Sequence, residues 1–345
     1  MKKVAIHGLP KVLLHEHLDG GLRVATLFEL LHARALPCPA ANPEALGRWF
    51  DDHAHAGNLV EYLRGFDLTV AAMATPAGLE RVAFEAAEDT RADGCVLAEF
   101  RIAPLLFEAH GLSGEASVEA LLAGLRRSGL ASGLIVCAMR HLPPEQTLRA
   151  ARLALAYKDQ GVVAFDLAGA ERGHPPGDHA RALNMARDAG LPLTLHAGEA
   201  DDAERVIEAL RLGAARIGHG IRLADALGDP QRSALVDEAR ERGAHFEVCP
   251  TSNVHTGAAA SIAEHPITAL WRAGLSVGIN TDNRLMSRIT LNSECAALLA
   301  HTPLTLDDLL RMQREAARHS FLGPEAKAAA SAALDRYSAA SSSST

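Results

Sequence analysis

The chain has 345 residues, of which 48% are hydrophobic and 22% are charged, the composition of a folded globular protein and not of a disordered one. Its 34 Lys and Arg residues against 42 Asp and Glu residues give a formal net charge of −8, which argues against a nucleic-acid partner because such proteins need a cationic surface. No apolar run approaches the ~20 residues of a membrane span, and polar residues interrupt the N-terminal apolar stretch too early for a signal peptide, so we expect neither.

Short apolar segments recur along the chain and are separated by Ala-, Leu-, Glu- and Arg-rich stretches with helical spacing. This alternation predicts a parallel sheet with helices on its surface. Eight such segments predict a closed α/β fold, a (β/α)8 TIM barrel, rather than an open doubly wound sheet, because polar residues cluster where nearly every strand ends. The eight candidate strands are residues 12–15, 96–100, 134–137, 162–166, 193–196, 216–219, 245–249 and 275–279.

The spacing between the first and second strands is far longer than one crossover helix requires. We expect a helical insertion at about residues 40–92 of a single barrel domain at 1–337, followed by a disordered Ala/Ser-rich tail at 338–345. Within the insertion, four apolar residues fall at i, i+3, i+4 and i+7 and form one face of a helix. This face either packs on the barrel or forms a lid that touches substrate. Its residues are Leu59, Tyr62, Leu63 and Phe66.

Histidines and one aspartate stand at the ends of four predicted strands. His15 and His17 end the first strand two positions apart, so both side chains point to the same face. His196, His219 and Asp282 end the fifth, sixth and eighth strands. The carboxyl ends of barrel strands surround one site, and imidazole and carboxylate donors without thiolates suit Zn2+ or another divalent first-row metal. Because the fourth strand lacks the lysine that one common two-metal arrangement needs, we expect a single ion.

Other polar residues receive supporting roles. Glu99 and Arg101 alternate on the second strand, and we expect them to form an inward ion pair. Cys249 is expected to pack between strand and helix rather than to act as a nucleophile. Ser252 and Asn253 are expected to shape the loop after the seventh strand and to support the metal site.

Six motifs, in order along the chain from about residue 10 to about residue 325, resemble those of the adenosine deaminases of the amidohydrolase superfamily, with bacterial members nearest. The resemblance implies a metal-dependent barrel that hydrolyses adenosine, and 2′-deoxyadenosine, to inosine and ammonia through attack of metal-bound hydroxide on purine C6. The motifs are His15-x-His17-Leu-Asp19-Gly, Asp166-Leu-Ala-Gly169, His196-Ala-Gly-Glu199, Gly218-His219-Gly, Cys249-Pro-x-Ser-Asn253 and Asn280-Thr-Asp282.

The resemblance implies a role for each catalytic position. Glu199 protonates purine N1 and must itself be protonated beforehand, so we expect burial to raise its pKa. His219 orients the hydroxide and assists its deprotonation. One Zn2+ ion is held by four ligands, which are His15, His17, His196 and Asp282.

The resemblance also implies the substrate contacts. Asp19 matches a residue that binds the ribose 5′-hydroxyl, although it could instead cap the following helix. Gly169 matches a residue whose backbone N–H meets purine N3, although it could be a plain strand-to-loop glycine. His17 faces the same pocket, and the apolar face at 59–66 matches the lid. Asn283 stands where most members carry an Asp that donates to purine N7, and an amide donates there without needing protonation.

Other functions stay open at this point. Deamination of adenine is disfavoured by Asp19, because adenine-specific relatives usually carry Glu there. Deamination of a 5′-substituted adenosine such as aminofutalosine depends on the room beyond the 5′-carbon. A non-catalytic nucleoside-binding protein is disfavoured because every residue of the mechanism is present. In each case the partner is a small purine nucleoside or base, without nucleic acid or membrane. Five cysteines without a C-x-x-C pair are typical of reduced thiols, so we expect a cytoplasmic protein.

Overall fold

Eight parallel strands form the centre of the fold in the computed structural model, which describes residues 6–54, 59–63 and 65–342. Consecutive strands pair in two groups, the first four and the last four. Every strand that the sequence predicts is confirmed, with ends that differ by at most two residues. The strands are β1 (Lys11–His17), β2 (Cys95–Ile102), β3 (Ser132–Met139), β4 (Val162–Ala168), β5 (Thr194–Ala197), β6 (Arg216–His219), β7 (His245–Val248) and β8 (Ser276–Ile279).

Backbone hydrogen bonds join the two groups into a closed barrel. Between β4 and β5, the N–H of Phe165 donates to the carbonyl of Pro192 at 2.9 Å. Between the end of β8 and β1, the backbone N–H of His17 donates to the carbonyl oxygen of Asp282 at 2.7 Å. The backbone N–H of Asp282 donates to the carbonyl oxygen of His15 at 2.9 Å. The predicted (β/α)8 TIM barrel is therefore confirmed. The second seam also places Asp282 beside both histidines of β1.

Helices occupy the connections between strands. Those between β1 and β2 are α1 (Val24–Ala33), α2 (Pro43–Ala54), α3 (Leu59–Leu63), α4 (Gly65–Met73) and α5 (Pro76–Ala92). The later ones are α6 (Gly114–Ser128), α7 (Pro144–Ala156), α8 (Ala180–Asp188), α9 (Ala203–Arg211), α10 (Ser233–Glu241), α11 (Pro250–His255), α12 (Ile267–Arg272), α13 (Arg284–Ser287), α14 (Leu291–His301), α15 (Leu306–His319) and α16 (Pro324–Ser342). Short 3-10 helices lie at Pro104–His110, Lys158–Gln160, Pro176–His179 and Ile221–Ala226.

Local sequence explains several helix boundaries. Ser113 caps α6 by accepting a hydrogen bond from the N–H of Ala116 at 3.2 Å, and Gly129 ends the helix with φ of 72°. Among the described residues, no helix combines the length and the apolar character needed to cross a membrane. The last helix ends at Ser342, so it overlaps the predicted tail at 338–345, of which residues 343–345 lie outside the described residues.

The barrel interior contains buried charges as well as aliphatic side chains. Glu99 and Arg101 both point inward from β2, but the predicted ion pair between them is wrong. Arg101 pairs with Asp166 at 2.9 Å and with Glu247 at 2.5 Å, whereas Glu99 pairs with Arg216 at 2.7 Å. Residues two apart on a strand are separated by roughly 6.6 Å along it, so oppositely charged groups on other strands of the barrel are nearer partners.

Candidate active site

Four side chains converge at the carboxyl end of the barrel. His15, His17, His196 and Asp282 each offer one donor atom, and all four atoms lie within 4.8 Å of one another. The Nε2 atoms of His17 and His196 are 3.2 Å apart. Asp282 Oδ1 lies 3.2 Å from His15 Nε2 and 3.5 Å from His17 Nε2. The residues predicted as metal ligands thus occupy one small volume, although they come from β1, β5 and the turn after β8.

The donor set fits a divalent metal ion. His15 Nε2 is buried without a hydrogen-bond partner. The Nδ1 atoms of His15 and His196 lie 3.0 Å from Glu247 and 3.1 Å from Asp166, respectively. A carboxylate at Nδ1 selects the tautomer with the proton on that nitrogen, which leaves the Nε2 lone pair free to bind a cation. Three imidazole nitrogens and one carboxylate oxygen match the donors that zinc and its neighbours prefer.

Unusual backbone conformations aim two of these strand ends. His219 and Asp282 adopt φ of 62° and 61°, in the left-handed region that residues other than glycine rarely adopt. Such a conformation costs of order 1–3 kcal/mol and persists only where the surrounding contacts fix it. Gly218 precedes His219, and a Cβ at this position would lie 3.0 Å from the His15 ring. The β6 backbone therefore approaches the donor set as closely as it does because it carries no side chain there.

A buried carboxyl–imidazole pair lies beside the four predicted metal ligands. Glu199 Oε2 is 3.6 Å from His219 Nε2. Glu199 Oε1 accepts hydrogen bonds from Thr256 Oγ1 at 2.8 Å and Asn253 Nδ2 at 3.1 Å. Burial raises the pKa of Glu199 above its ordinary value.

Several site residues carried no clear sequence signal. Glu171 is buried and accepts hydrogen bonds from the backbone N–H groups of residues 199, 200 and 201, so it fixes the loop after β5. Thr256 lies three residues beyond the last recognised motif on its loop. Glu247 could have been found as a carboxylate in the middle of the apolar β7 strand. Ser252 donates to Asp282 Oδ2 at 2.5 Å, in agreement with its expected supporting role.

Cys249 lies closer to the predicted metal ligands than the sequence indicated. Its sulfur belongs to a second group of donors within 4.8 Å of one another, together with His15, His219 and Asp282. Burial raises the pKa of the thiol well above its usual range, so it stays protonated and is a weak nucleophile. The side chain also lies 3.5 Å from the carbonyl oxygen of Glu247.

A cavity of about 560 Å³ lies at the carboxyl end of the barrel, beside Glu199, His219 and the predicted metal ligands. The predicted helix face lines it, which favours a lid over a plain packing role. Asp19 does not cap a helix, because α1 begins after Arg23 without a side-chain cap, and burial raises the pKa of Asp19 to about 7. Gly169 has φ of 95°, so a side chain there would be strained. Lining residues include His17, Asp19, Leu59, Tyr62, Leu63, Phe66, Gly169, His196, Glu199, His219, Asp282 and Asn283.

Comparisons with known proteins agree with this geometry. The family model described as adenosine deaminase matches residues 10–337. Adenosine deaminase from Mycobacterium tuberculosis (strain ATCC 25618 / H37Rv) is 42% identical over 329 residues, covering 91% of this chain and 90% of its own. That of Mycobacterium marinum is 40% identical over 334 residues, covering 92% of each chain. Among solved structures, an arabidopsis N6-mAMP deaminase matches with a TM-score of 0.84 at 25% identity, covering 96% of this chain and 99% of that one.

Proposed function

Since this chain belongs to the adenosine deaminase family, a family of hydrolases, we propose that it hydrolyses adenosine, and 2′-deoxyadenosine, to inosine and ammonia. One observation carries the proposal. Of the four proposed metal ligands, His17, His196 and Asp282 line the same cavity as Glu199, a buried carboxyl group with a raised pKa. Addition of water to an aromatic C–N bond needs both parts, a strong nucleophile and a proton donor to the ring.

The proposed metal ligands are His15, His17, His196 and Asp282, and the proposed ion is one Zn2+. When bound, a zinc ion lowers the pKa of a coordinated water from 15.7 to roughly 7 and so supplies the nucleophile at neutral pH. The protein contributes the orientation of the donors. Asp166 and Glu247 hold two of the imidazole rings by their Nδ1 atoms, and Ser252 holds the carboxylate of Asp282.

Glu199 is the proposed acid for purine N1. Two donors occupy its Oε1 atom, so the proton resides on Oε2, the oxygen on the side of His219. Transfer of that proton to N1 interrupts the aromaticity of the ring and makes C6 electrophilic. Burial supports this role because it keeps the carboxyl group neutral at a pH where an exposed glutamate is ionised. His219, beside it, orients the attacking oxygen.

The remaining cavity residues are proposed to select the substrate. Asp19 binds the ribose 5′-hydroxyl, the N–H of Gly169 meets purine N3, and Asn283 donates to N7. The Oδ1 atom of Asp19 is buried without a partner, which supports its role as an acceptor for a ligand hydroxyl. His17 and the lid face close the pocket around the nucleoside.

A substrate panel tests the proposal. We expect loss of absorbance near the adenosine band with adenosine and 2′-deoxyadenosine, at kcat/KM values far above those for adenine or a 5′-substituted adenosine. A preference for adenine or for the 5′-substituted compound would show that adenosine is not the main substrate, while the proposed deamination reaction would stand. No change with any of them, before and after metal loading, would favour a non-catalytic nucleoside-binding protein. The five cysteines, all described and all free, support the further proposal of a cytoplasmic location.

A further inference from the structure

His265 is a buried histidine outside every recognised motif. It lies in the turn before α12, is 4% exposed, and does not line the cavity. Both of its ring nitrogens are engaged. The backbone N–H of Ile267 donates to Nδ1 at 3.1 Å, and Nε2 lies 3.2 Å from Asn253 Oδ1. A buried side chain with two directed hydrogen bonds has one fixed orientation, and one of these bonds joins His265 to Asn253 of the site.

The backbone contact fixes the tautomer of His265. An N–H group can only donate, so Nδ1 must accept and cannot carry the proton of the neutral ring. The proton therefore lies on Nε2, which donates to Asn253 Oδ1. Burial lowers the pKa of His265 to about 3, so the ring is neutral over the range in which an enzyme of this kind works.

The orientation of the Asn253 amide follows from that donor. With Oδ1 held by His265, the two hydrogens of Nδ2 point the other way, to Glu199 Oε1 at 3.1 Å and to His219 Nδ1 at 3.0 Å. The reversed amide would set its NH2 group against the N–H of His265 and leave buried donors unpaired, at a cost of about 1–3 kcal/mol for each.

We propose that His265 is a positioning residue that holds Asn253 in the orientation in which its amide donates hydrogen bonds to both Glu199 and His219. The inference rests on the proposed function. By occupying Oε1, the amide leaves Oε2 as the glutamate oxygen that faces the reaction. By donating to Nδ1, it places the ring proton of His219 on Nε2. Nε2 of His219 is then a hydrogen-bond donor toward the attacking oxygen. In this tautomer His219 orients that oxygen, but its Nε2 cannot take the proton in the way that the family resemblance implies.

Three variants of the metal-loaded enzyme test the proposal. His265→Gln keeps one donor and one acceptor at nearly the spacing of the imidazole nitrogens, whereas His265→Leu removes both. His245→Leu is a matched control, because His245 is fully buried at the opposite end of β7 from the site. We expect His265→Leu to lower kcat by about 10- to 100-fold with little change in KM, since a misplaced catalytic group loses rate more than binding. His265→Gln and His245→Leu should retain most of kcat.

An unchanged kcat in His265→Leu, or a His265→Gln enzyme no better than His265→Leu, would overturn the proposal. If His265→Leu does not fold, nitrogen-15 NMR of the wild-type enzyme decides. Signals that vanish in His265→Gln belong to His265, and they should show a protonated Nε2 and an unprotonated Nδ1, whereas the opposite tautomer refutes the inference. A wild-type enzyme that deaminates none of the panel substrates would instead contradict the proposed function.

Discussion

At the scale of single residues, the site depends on where a few protons are held. The sequence identified the proposed metal ligands, because these lie at strand ends, where the barrel topology determines their direction. It could not identify Glu171 or His265, which act through hydrogen bonds to residues 28 and 12 positions away. Nothing in the local pattern of either residue distinguishes it from an ordinary loop residue. Such partners become visible only when the loops are folded.

Glu199→Gln tests the acid directly. Glutamine can accept the hydrogen bonds of Asn253 and Thr256 and can donate one to purine N1, but it has no proton to transfer. We expect kcat to fall by about 10²–10⁴-fold while KM changes little. Steady-state kinetics with adenosine at neutral pH measure both constants. Near-normal turnover would exclude Glu199 as the acid.

Asn283 tests base recognition. Removal of its amide in Asn283→Ala should raise KM for adenosine about two- to tenfold, because a single hydrogen bond contributes roughly 0.5–1.5 kcal/mol. Asn283→Asp is the matched variant, since a carboxyl group donates to N7 only when protonated. Its KM should therefore rise with pH, whereas that of the wild type should not do so through this contact. An unchanged KM in Asn283→Ala would remove the residue from the site.

At the scale of elements, strand ends hold the proposed ligands, and the apolar face at 59–66 lines the cavity beside them. The period of the apolar residues at 59–66 predicted a helical face but left open what it covers. In the structure the face lines the cavity, and its function as a lid stays a prediction. The answer depends on how the insertion folds back over the barrel mouth, and periodicity within one helix contains no information about that path.

Tyr62→Phe tests the lid. Tyr62 Oη lies 3.0 Å from Ser287 Oγ on α13. Because Ser287 is four residues after Asn283, this contact connects the predicted lid to the segment that carries Asn283. Loss of the hydroxyl should favour the open lid and raise KM about fivefold, with kcat kept or increased, because one hydrogen bond contributes about 1 kcal/mol. Ser287→Ala should have a similar effect. A fall in kcat at constant KM in both variants would argue against a lid function.

The contact between α14 and the start of α11 predicts a pH-dependent stability. Glu294 is buried and accepts a hydrogen bond from the N–H of Thr251 at 3.0 Å, and burial raises its pKa from 4.5 to about 7. The folded state therefore binds this proton more tightly than the unfolded chain does. Its contribution is complete below pH 4.5 and is lost as the pH rises through about 7.

Glu294→Gln removes this titration while keeping an acceptor for Thr251. Between about pH 4.5 and 8, we expect the free energy of unfolding of the wild type minus that of the variant to fall by about 3 kcal/mol. Urea unfolding at a series of pH values measures the difference. A difference that stays constant, or that grows with pH, would show that Glu294 titrates normally.

At the scale of the whole molecule, buried ion pairs connect the two halves of the barrel. Arg101 binds Asp166 and Glu247, and these carboxylates hold His196 and His15, respectively. The alternation of strands and helices was enough to predict the barrel. It could not predict this network, because its charged pairs join residues 65 and 146 positions apart, and many pairings of inward charges are compatible with the same strand order.

Arg101→Lys tests the network. A lysine ammonium is a point charge that cannot bridge two carboxylates as a guanidinium does. We expect the dissociation constant for Zn2+, measured by competition with a chelator, to rise about 10- to 100-fold. Arg216→Lys is the matched control, since Arg216 also pairs with Glu247 but is not bonded to Asp166. Equal affinity in the wild type and Arg101→Lys, or an equal loss in both variants, would contradict the role of Arg101.

The central claim is that the metal-ligand set and the acid in one cavity deaminate adenosine. Its most direct test is the product balance of the purified enzyme, with inosine measured by chromatography and ammonia by a coupled assay. We expect equal amounts of both from the metal-loaded enzyme, none after metal is removed by a chelator, and recovery when Zn2+ is returned. Full activity in the metal-free enzyme, or loss of adenosine without equal inosine and ammonia, would contradict the account.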